Sequence, residues 1–198
     1  MKRIRRRRLA VVCAALLTTA AQTVEFEKLP GAAGVYSLVV ASVSAQTDPF
    51  APVRFLLGEW TAIDTPAGET GAFAFRLAVQ DRVIVRTNEA NYAATADRPA
   101  SRHEDLLIVY SENGSLKADY FDNEGHVIRY SVATGAANTA VFTSEPNPRE
   151  PRYRLTYRVG ADGILNGSFE VAAPGTPEAF KPYLSWKARK VQPGNRIE

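Results

Sequence analysis

A chain of 198 residues is long enough for one domain, or for one domain behind a targeting segment. Its formal charge of +3 is concentrated at the start: seven basic and two acidic residues fall within the first 45, leaving 17 basic against 19 acidic beyond them. That remainder offers no basic face for nucleic acid. Because the single cysteine is Cys13, it also has no thiol for disulfides, thiolate metal sites or a nucleophile.

The N-terminus reads as export machinery. Lys2 and the arginines at 3 and 5–8 precede an apolar run, residues 9–21, too short to span a bilayer comfortably. A second apolar run, residues 32–45, ends in Val43-Ser44-Ala45, a small-x-small cleavage pattern better than Thr19-Ala20-Ala21. Arg6-Arg7 is compatible with a twin-arginine signal, and Val12 is too large to precede a lipidated Cys13. The expected organisation is a leader over 1–45, a linker over 46–52, a β-barrel domain over 53–191 and a flexible tail over 192–198. The expected destination is periplasmic or secreted, with no stable membrane span after processing; an uncleaved, tethered N-terminus is the alternative.

Residues 53–57 can form one helical turn, and ten candidate strands follow, each bounded by turn residues. They are 59–63, 70–79, 82–90, 103–111, 115–121, 126–134, 138–145, 152–159, 164–172 and 182–191. In the second, Phe73, Phe75, Leu77 and Val79 share one face. The 91–101 segment between the third and fourth is polar, the longest gap, and reads as a barrel rim. Asn113-Gly114 is a two-residue hairpin signal, because glycine and asparagine tolerate positive φ. Residues 152–159 alternate throughout, with Tyr153, Leu155, Tyr157 and Val159 on one side and Arg152, Arg154, Thr156 and Arg158 on the other.

No segment keeps a helical period for three turns. Short alternating strands at hairpin spacing predict an all-β fold: a single antiparallel up-and-down barrel of about ten strands behind a short helical turn. A two-sheet sandwich is the alternative. Barrels of this size either fill with side chains or hold one small ligand.

At Gly58-Glu59-Trp60 the chain resembles the calycin superfamily of lipocalins, fatty-acid-binding proteins and nitrobindin-like barrels, most closely exported bacterial members without an assigned function. The resemblance rests on the two ends of residues 53–191. It implies that Gly58 and Trp60 open the first strand and that Trp60 closes the barrel floor beneath a basic residue of the last strand, here Arg189. The haem-ligating His-Leu of the nitrobindin-like branch is replaced by Tyr183-Leu184. The Arg-x-Tyr pair of the fatty-acid branch is also missing, since Lys187-Ala188-Arg189 carries no tyrosine two residues on.

The candidate ligand-binding residues are Phe73, Phe75, Tyr120, Tyr130, Tyr153, Tyr157 and Tyr183, aromatic side chains in phase with apolar neighbours. They suit a small hydrophobic or amphipathic partner and equally suit a filled core. His126 falls in phase with Ile128 and Tyr130 near a rim. His103, beside Glu104 and Asp105, reads as exposed. Two histidines without a third ligand at fixed spacing imply no metal, and Asp119, Asp122 and Glu124 read as turn chemistry rather than a calcium site. No nucleophile elbow, phosphate loop or zinc motif is present. The expectation is therefore a non-catalytic, monomeric or weakly dimeric binding barrel that needs no cofactor. The alternatives are a calycin-type enzyme or haem-binding barrel using Tyr183 or His126, and a filled barrel serving as an envelope scaffold.

Overall fold

The structure, a computed structural model, describes residues 48–192. The expected leader with its cleavage after Ala45, and the tail beyond Gln192, lie outside the described residues.

A 3-10 turn, Ala51–Leu56, opens the described chain. Asp48 accepts the backbone N–H of Phe50, Pro52 sits in the first turn, and Phe50, Val53 and Leu56 are all buried. Ten strands follow: β1 (Gly58–Ile63), β2 (Glu69–Ala78), β3 (Val83–Tyr92), β4 (Ser101–Glu112), β5 (Ser115–Asp122), β6 (Val127–Ala133), β7 (Thr139–Ser144), β8 (Arg152–Val159), β9 (Ile164–Ala172) and β10 (Lys181–Lys190). Every neighbour is antiparallel, and β1 pairs with both β2 and β10, so the sheet closes into a barrel rather than a sandwich. Every strand has a neighbour on both sides, with the short β1 bridging Lys187–Lys190 of β10 and Ala72–Phe75 of β2. Closure is completed by the Val191 N–H, which donates to the Glu59 carbonyl at 2.8 Å.

Local chemistry accounts for the turns. Asn113 and Gly114 both have positive φ, 51° and 77°, and join β4 to β5 with no other residue between the strands. The turn after β2 differs from expectation. Val79, expected to close the strand on the face of Phe73, Phe75 and Leu77, has φ 53° and is 72% exposed, because the strand ends at Ala78 and Val79, Gln80 and Asp81 all turn through the left-handed region. The Arg82 N–H closes this turn on the Ala78 and Val79 carbonyls. The expected 91–101 gap is also shorter, since β3 and β4 stay paired as far as Tyr92 and Ser101.

The half of the barrel nearest Trp60 is packed solid. Trp60 is 2% exposed, its indole N–H donates to the Leu56 carbonyl at 2.8 Å, and its ring stacks on Phe73 at 6.2 Å between centroids. Above this layer, Tyr157 is the hub, packing edge-on with Phe75 (5.5 Å), Phe142 (6.0 Å) and Trp186 (5.9 Å). Ile84, Leu107, Val109 and Leu165 fill the spaces between. The outer face carries cross-strand ion pairs such as Arg154–Glu170 and Arg76–Glu59. No helix among the described residues is long and apolar enough to cross a membrane.

The basic residue over Trp60 is Lys190, not Arg189. Register places Trp60 opposite Lys190 and Thr61 opposite Arg189, so Lys190 shares the inward phase of Ala188 while Arg189 faces out and is exposed. Lys190 Nζ lies 5.3 Å from the Trp60 ring centroid. Gly58 makes room for it. Its φ is 119°, and a Cβ there would stand 2.6 Å from Lys190 Cε.

Candidate functional site

The half of the barrel away from Trp60 is hollow. A cavity of about 1270 Å³ opens there, bounded by the ends of the strands opposite the floor. Phe73, Arg86, Tyr130, Leu155 and Trp186 form its base. Above them the lining divides by strand. β8, β9 and β10 contribute Tyr153, Phe169, Val171, Tyr183 and Leu184, whereas β3, β4 and β5 contribute Asn88, His103, Asp105, Tyr120 and Asp122. The β8–β10 side carries the aromatic side chains together with Asn166, Ser168, Ser185 and Lys187, and the β3–β5 side carries the polar cluster.

The aromatic wall is ordered by side-chain stacking. Tyr153 and Phe169 are parallel at 5.7 Å, and Tyr183 meets Phe169 edge-on at 6.1 Å. Tyr183 is 76% exposed at the mouth, where β10 makes a register shift between Pro182 and Leu184. Trp186 lies flat on Gly167 of β9, where a Cβ would come within 2.1 Å of the indole.

The polar wall is a connected hydrogen-bond network. Inside the barrel, Arg86 donates to both the Tyr157 hydroxyl and the Asp105 carboxylate. The Arg86 and Asp105 side chains are each 5% exposed. Asn88 donates to the other Asp105 oxygen at 2.8 Å. His103 Nε2 stands 3.3 Å from that same oxygen and 3.3 Å from the Tyr120 hydroxyl, while its Nδ1 faces Glu124 at 3.3 Å. Tyr120 donates to Asp122 at 3.2 Å. Asp122 also accepts the backbone N–H of Glu124, the backbone N–H of His126 and the His126 ring at 2.8 Å. The chain of contacts thus runs from Tyr157 at the core to His126 at the mouth.

Electrostatics follow from this arrangement. Burial works to raise the Asp122 pKa, but the donors from His126 and Glu124 outweigh it and hold the carboxyl below its ordinary value. Burial, then the adjacent Asp122 charge, pushes the Tyr120 phenol up, so it remains a protonated donor at neutral pH. Burial likewise raises Tyr130 and Tyr157, each against the opposing influence of Arg86.

Of the residues singled out from sequence, Phe73, Tyr120, Tyr130, Tyr153 and Tyr183 line the cavity, whereas Phe75 and Tyr157 lie in the packed layer beneath it. His103, expected to be exposed, turns inward with its side chain 27% exposed; His126 stands at the mouth. Sequence reasoning passed over Arg86, Asn88, Asp105 and Trp186. The available signal was phase: Arg86 and Asn88 follow Ile84 at even spacing, and His103 and Asp105 precede Leu107 and Val109 in the same way. Among the described residues, no group of three or more histidine, cysteine or acidic side chains is placed to hold a metal ion.

What the fold and cavity define is a closed up-and-down barrel, packed at one end and hollow at the other. No protein-family model matches the chain, and a search of curated proteins also finds no match.

Proposed function

We propose that this protein is an exported, non-catalytic barrel of calycin type that holds a small hydrophobic or amphipathic molecule in its interior. The observation that carries the reading is the cavity of about 1270 Å³ with one aromatic and one hydrogen-bonding wall. Ligand pockets run from roughly 300 to 1,000 Å³ and pair mostly apolar walls with a few polar groups, and this cavity is at least that large. The calycin assignment is supported by strand order and by Gly58-x-Trp60 closing the floor beneath a basic residue of the last strand. Export is supported by the basic and apolar character of residues 1–45.

A second reading, a calycin-type enzyme, draws on the contact chain Asp105–His103–Tyr120–Asp122–His126, since carboxylate-oriented imidazoles beside a phenol suit acid–base work. Haem binding through Tyr183 or His126 would be a third use of the same mouth.

Native mass spectrometry of protein purified from its own host tests the binding reading. A co-purified lipid or other amphiphile is the expected result, and a compact, ligand-free species that also takes up no added hydrophobic dye would overturn it in favour of a scaffold. N-terminal sequencing of exported protein should begin at Gln46.

A further inference from the structure

We propose that the outer face of β3 to β6 is a docking surface for a second copy of this chain, packed about a twofold axis that runs along the strands between β5 and β6. This is separate from the question of an interior ligand, because the face is a side wall of the barrel and not its mouth.

The first argument is apolar side chains where a closed barrel needs none. In these four strands the inward phase is set by Ile84, Leu107, Ala118 and Tyr130, all buried. The alternate positions face out, and they include Val83 and Val85 on β3, Leu106 and Ile108 on β4, Phe121 on β5 and Val127 on β6. Register sets them side by side, with Val85 opposite Ile108, Leu106 opposite Phe121, and Phe121 opposite Val127. None of the six packs against the interior cluster, and Phe121 and Val127 are 39% and 58% exposed. On β8 the same outward phase holds Arg152, Arg154, Thr156 and Arg158, so the apolar character belongs to one side of the barrel. A contiguous apolar patch on an outer surface marks an interaction site.

Charge complementarity names the occupant. Asp119 on β5 lies beside Ile108 of β4 and directly across from Arg129 on β6. Among the described residues neither belongs to an ion pair: Asp119 Oδ1 has no hydrogen-bond partner, Arg129 is exposed, and the neighbouring Glu145 faces Lys117 at 3.9 Å. A twofold axis along the strands between β5 and β6 exchanges the members of each cross-strand pair. Asp119 of one copy then meets Arg129 of the other, twice, and Phe121 meets Val127, twice. The face is thus self-complementary in both charge and apolar contact. Its size sets the strength. Strands lie ~4.8 Å apart and same-face residues ~6.8 Å apart along each, so the patch measures roughly 14 Å by 14 Å between side-chain origins. A standard interface buries about 800 Å² per partner. The dimer is therefore a weak one, formed as concentration rises.

Sedimentation velocity of the protein purified from its host, from micromolar to near-millimolar concentration, tests the proposal. A reversible shift from monomer to dimer is the expected result. Phe121→Glu changes an exposed side chain and should leave a monomer at every concentration. Arg129→Asp sets carboxylate against carboxylate, and Asp119→Arg sets guanidinium against guanidinium. Each alone should weaken the dimer at least about tenfold, since like charges across an interface are strongly unfavourable. Mixing the two variants should restore a mixed dimer, because both cross-contacts are then attractive. A monomer at every concentration overturns the proposal. So does a dimer that survives Phe121→Glu, or a mixture of the two folded variants that associates no more tightly than its parents. A monomer that floats with phosphatidylcholine vesicles, and ceases to on Phe121→Glu, would assign the face to lipid instead.

Discussion

Arg86 on β3 and Asp105 on β4 form an ion pair in the middle of the barrel, diagonal to the register that sets Arg86 opposite Leu107 and Asn88 opposite Asp105. The pair sits where the packed half gives way to the hollow one. Below it Arg86 meets Tyr157, the hub of the aromatic core, and beside it Asp105 meets Asn88 and His103 on the polar wall. Core packing and cavity chemistry are therefore mechanically coupled through two side chains.

Removing one partner should be costly and removing both should not. Asp105→Ala leaves the Arg86 charge buried without a counter-ion, and such losses cost about 3–5 kcal/mol. The double variant Arg86→Met/Asp105→Leu replaces the pair by apolar volume and should recover most of that loss. Urea unfolding of the single and double variants measures the coupling. Additive losses would show that the two side chains do not act as a pair.

Asp122 links stability to pH. Its folded-state pKa lies below the ordinary 3.8 because donors from His126 and Glu124 outweigh the effect of burial. A depressed carboxyl contributes stability that is fully present above its unfolded value and is lost as pH falls through the folded one. The gap in stability between the wild type and Asp122→Asn should therefore hold steady from neutral pH to about 5 and close progressively below 4. Urea midpoints collected across that range test the sign; a gap that widened in acid would contradict it.

How much of this was legible in the sequence depended on whether a residue's chemistry agreed with its position. In β8 it did: Tyr153, Leu155, Tyr157 and Val159 alternate with arginines and threonine, and all four take the inward phase. Asn113-Gly114 likewise has one natural use, and the chain makes it. The polar wall was hidden because its residues contradict the pattern. His103-Glu104-Asp105 looks like a solvated strand end, yet the phase of Leu107 and Val109 carries His103 and Asp105 inward. Arg86 is masked in the same way among Val83, Ile84 and Val85. Composition marks these positions as surface, and only the phase of their neighbours marks them as interior.

The partner of Trp60 shows a different limit. Lys187-Ala188-Arg189-Lys190 offers three cations in four positions, so the presence of a basic residue could be anticipated but not which one. Register decides it, and substitutions should follow register. Trp60→Ala should cost about 3–5 kcal/mol, the range for truncating a large buried aromatic, because it empties the space between Leu56 and Phe73. Lys190→Ala should cost about 0.5–1 kcal/mol, the scale of a partly exposed cation–π contact. Arg189→Ala, on the outer face, should change the unfolding midpoint little. A larger effect at 189 than at 190 would return the closing role to Arg189.

Gly167 and Trp186 make the last prediction, which bears on the cavity itself. The two residues are paired across β9 and β10, and the indole occupies the space a Cβ at 167 would need, with Cε2 at 2.1 Å and Cζ2 at 2.3 Å from it. No small adjustment relieves an overlap of that size, so Gly167→Ala must lift Trp186 off the strand and towards the cavity it lines. Overpacking of this kind costs about 1–3 kcal/mol, and the displaced ring should also reduce uptake of a hydrophobic dye. In a Trp186→Leu background the same glycine substitution should cost far less, because the obstacle has gone. Thermal unfolding of the four-member cycle, with dye binding measured in parallel, tests both effects. An undiminished penalty without the tryptophan would mean that Gly167 is required for its backbone rather than for the ring it carries.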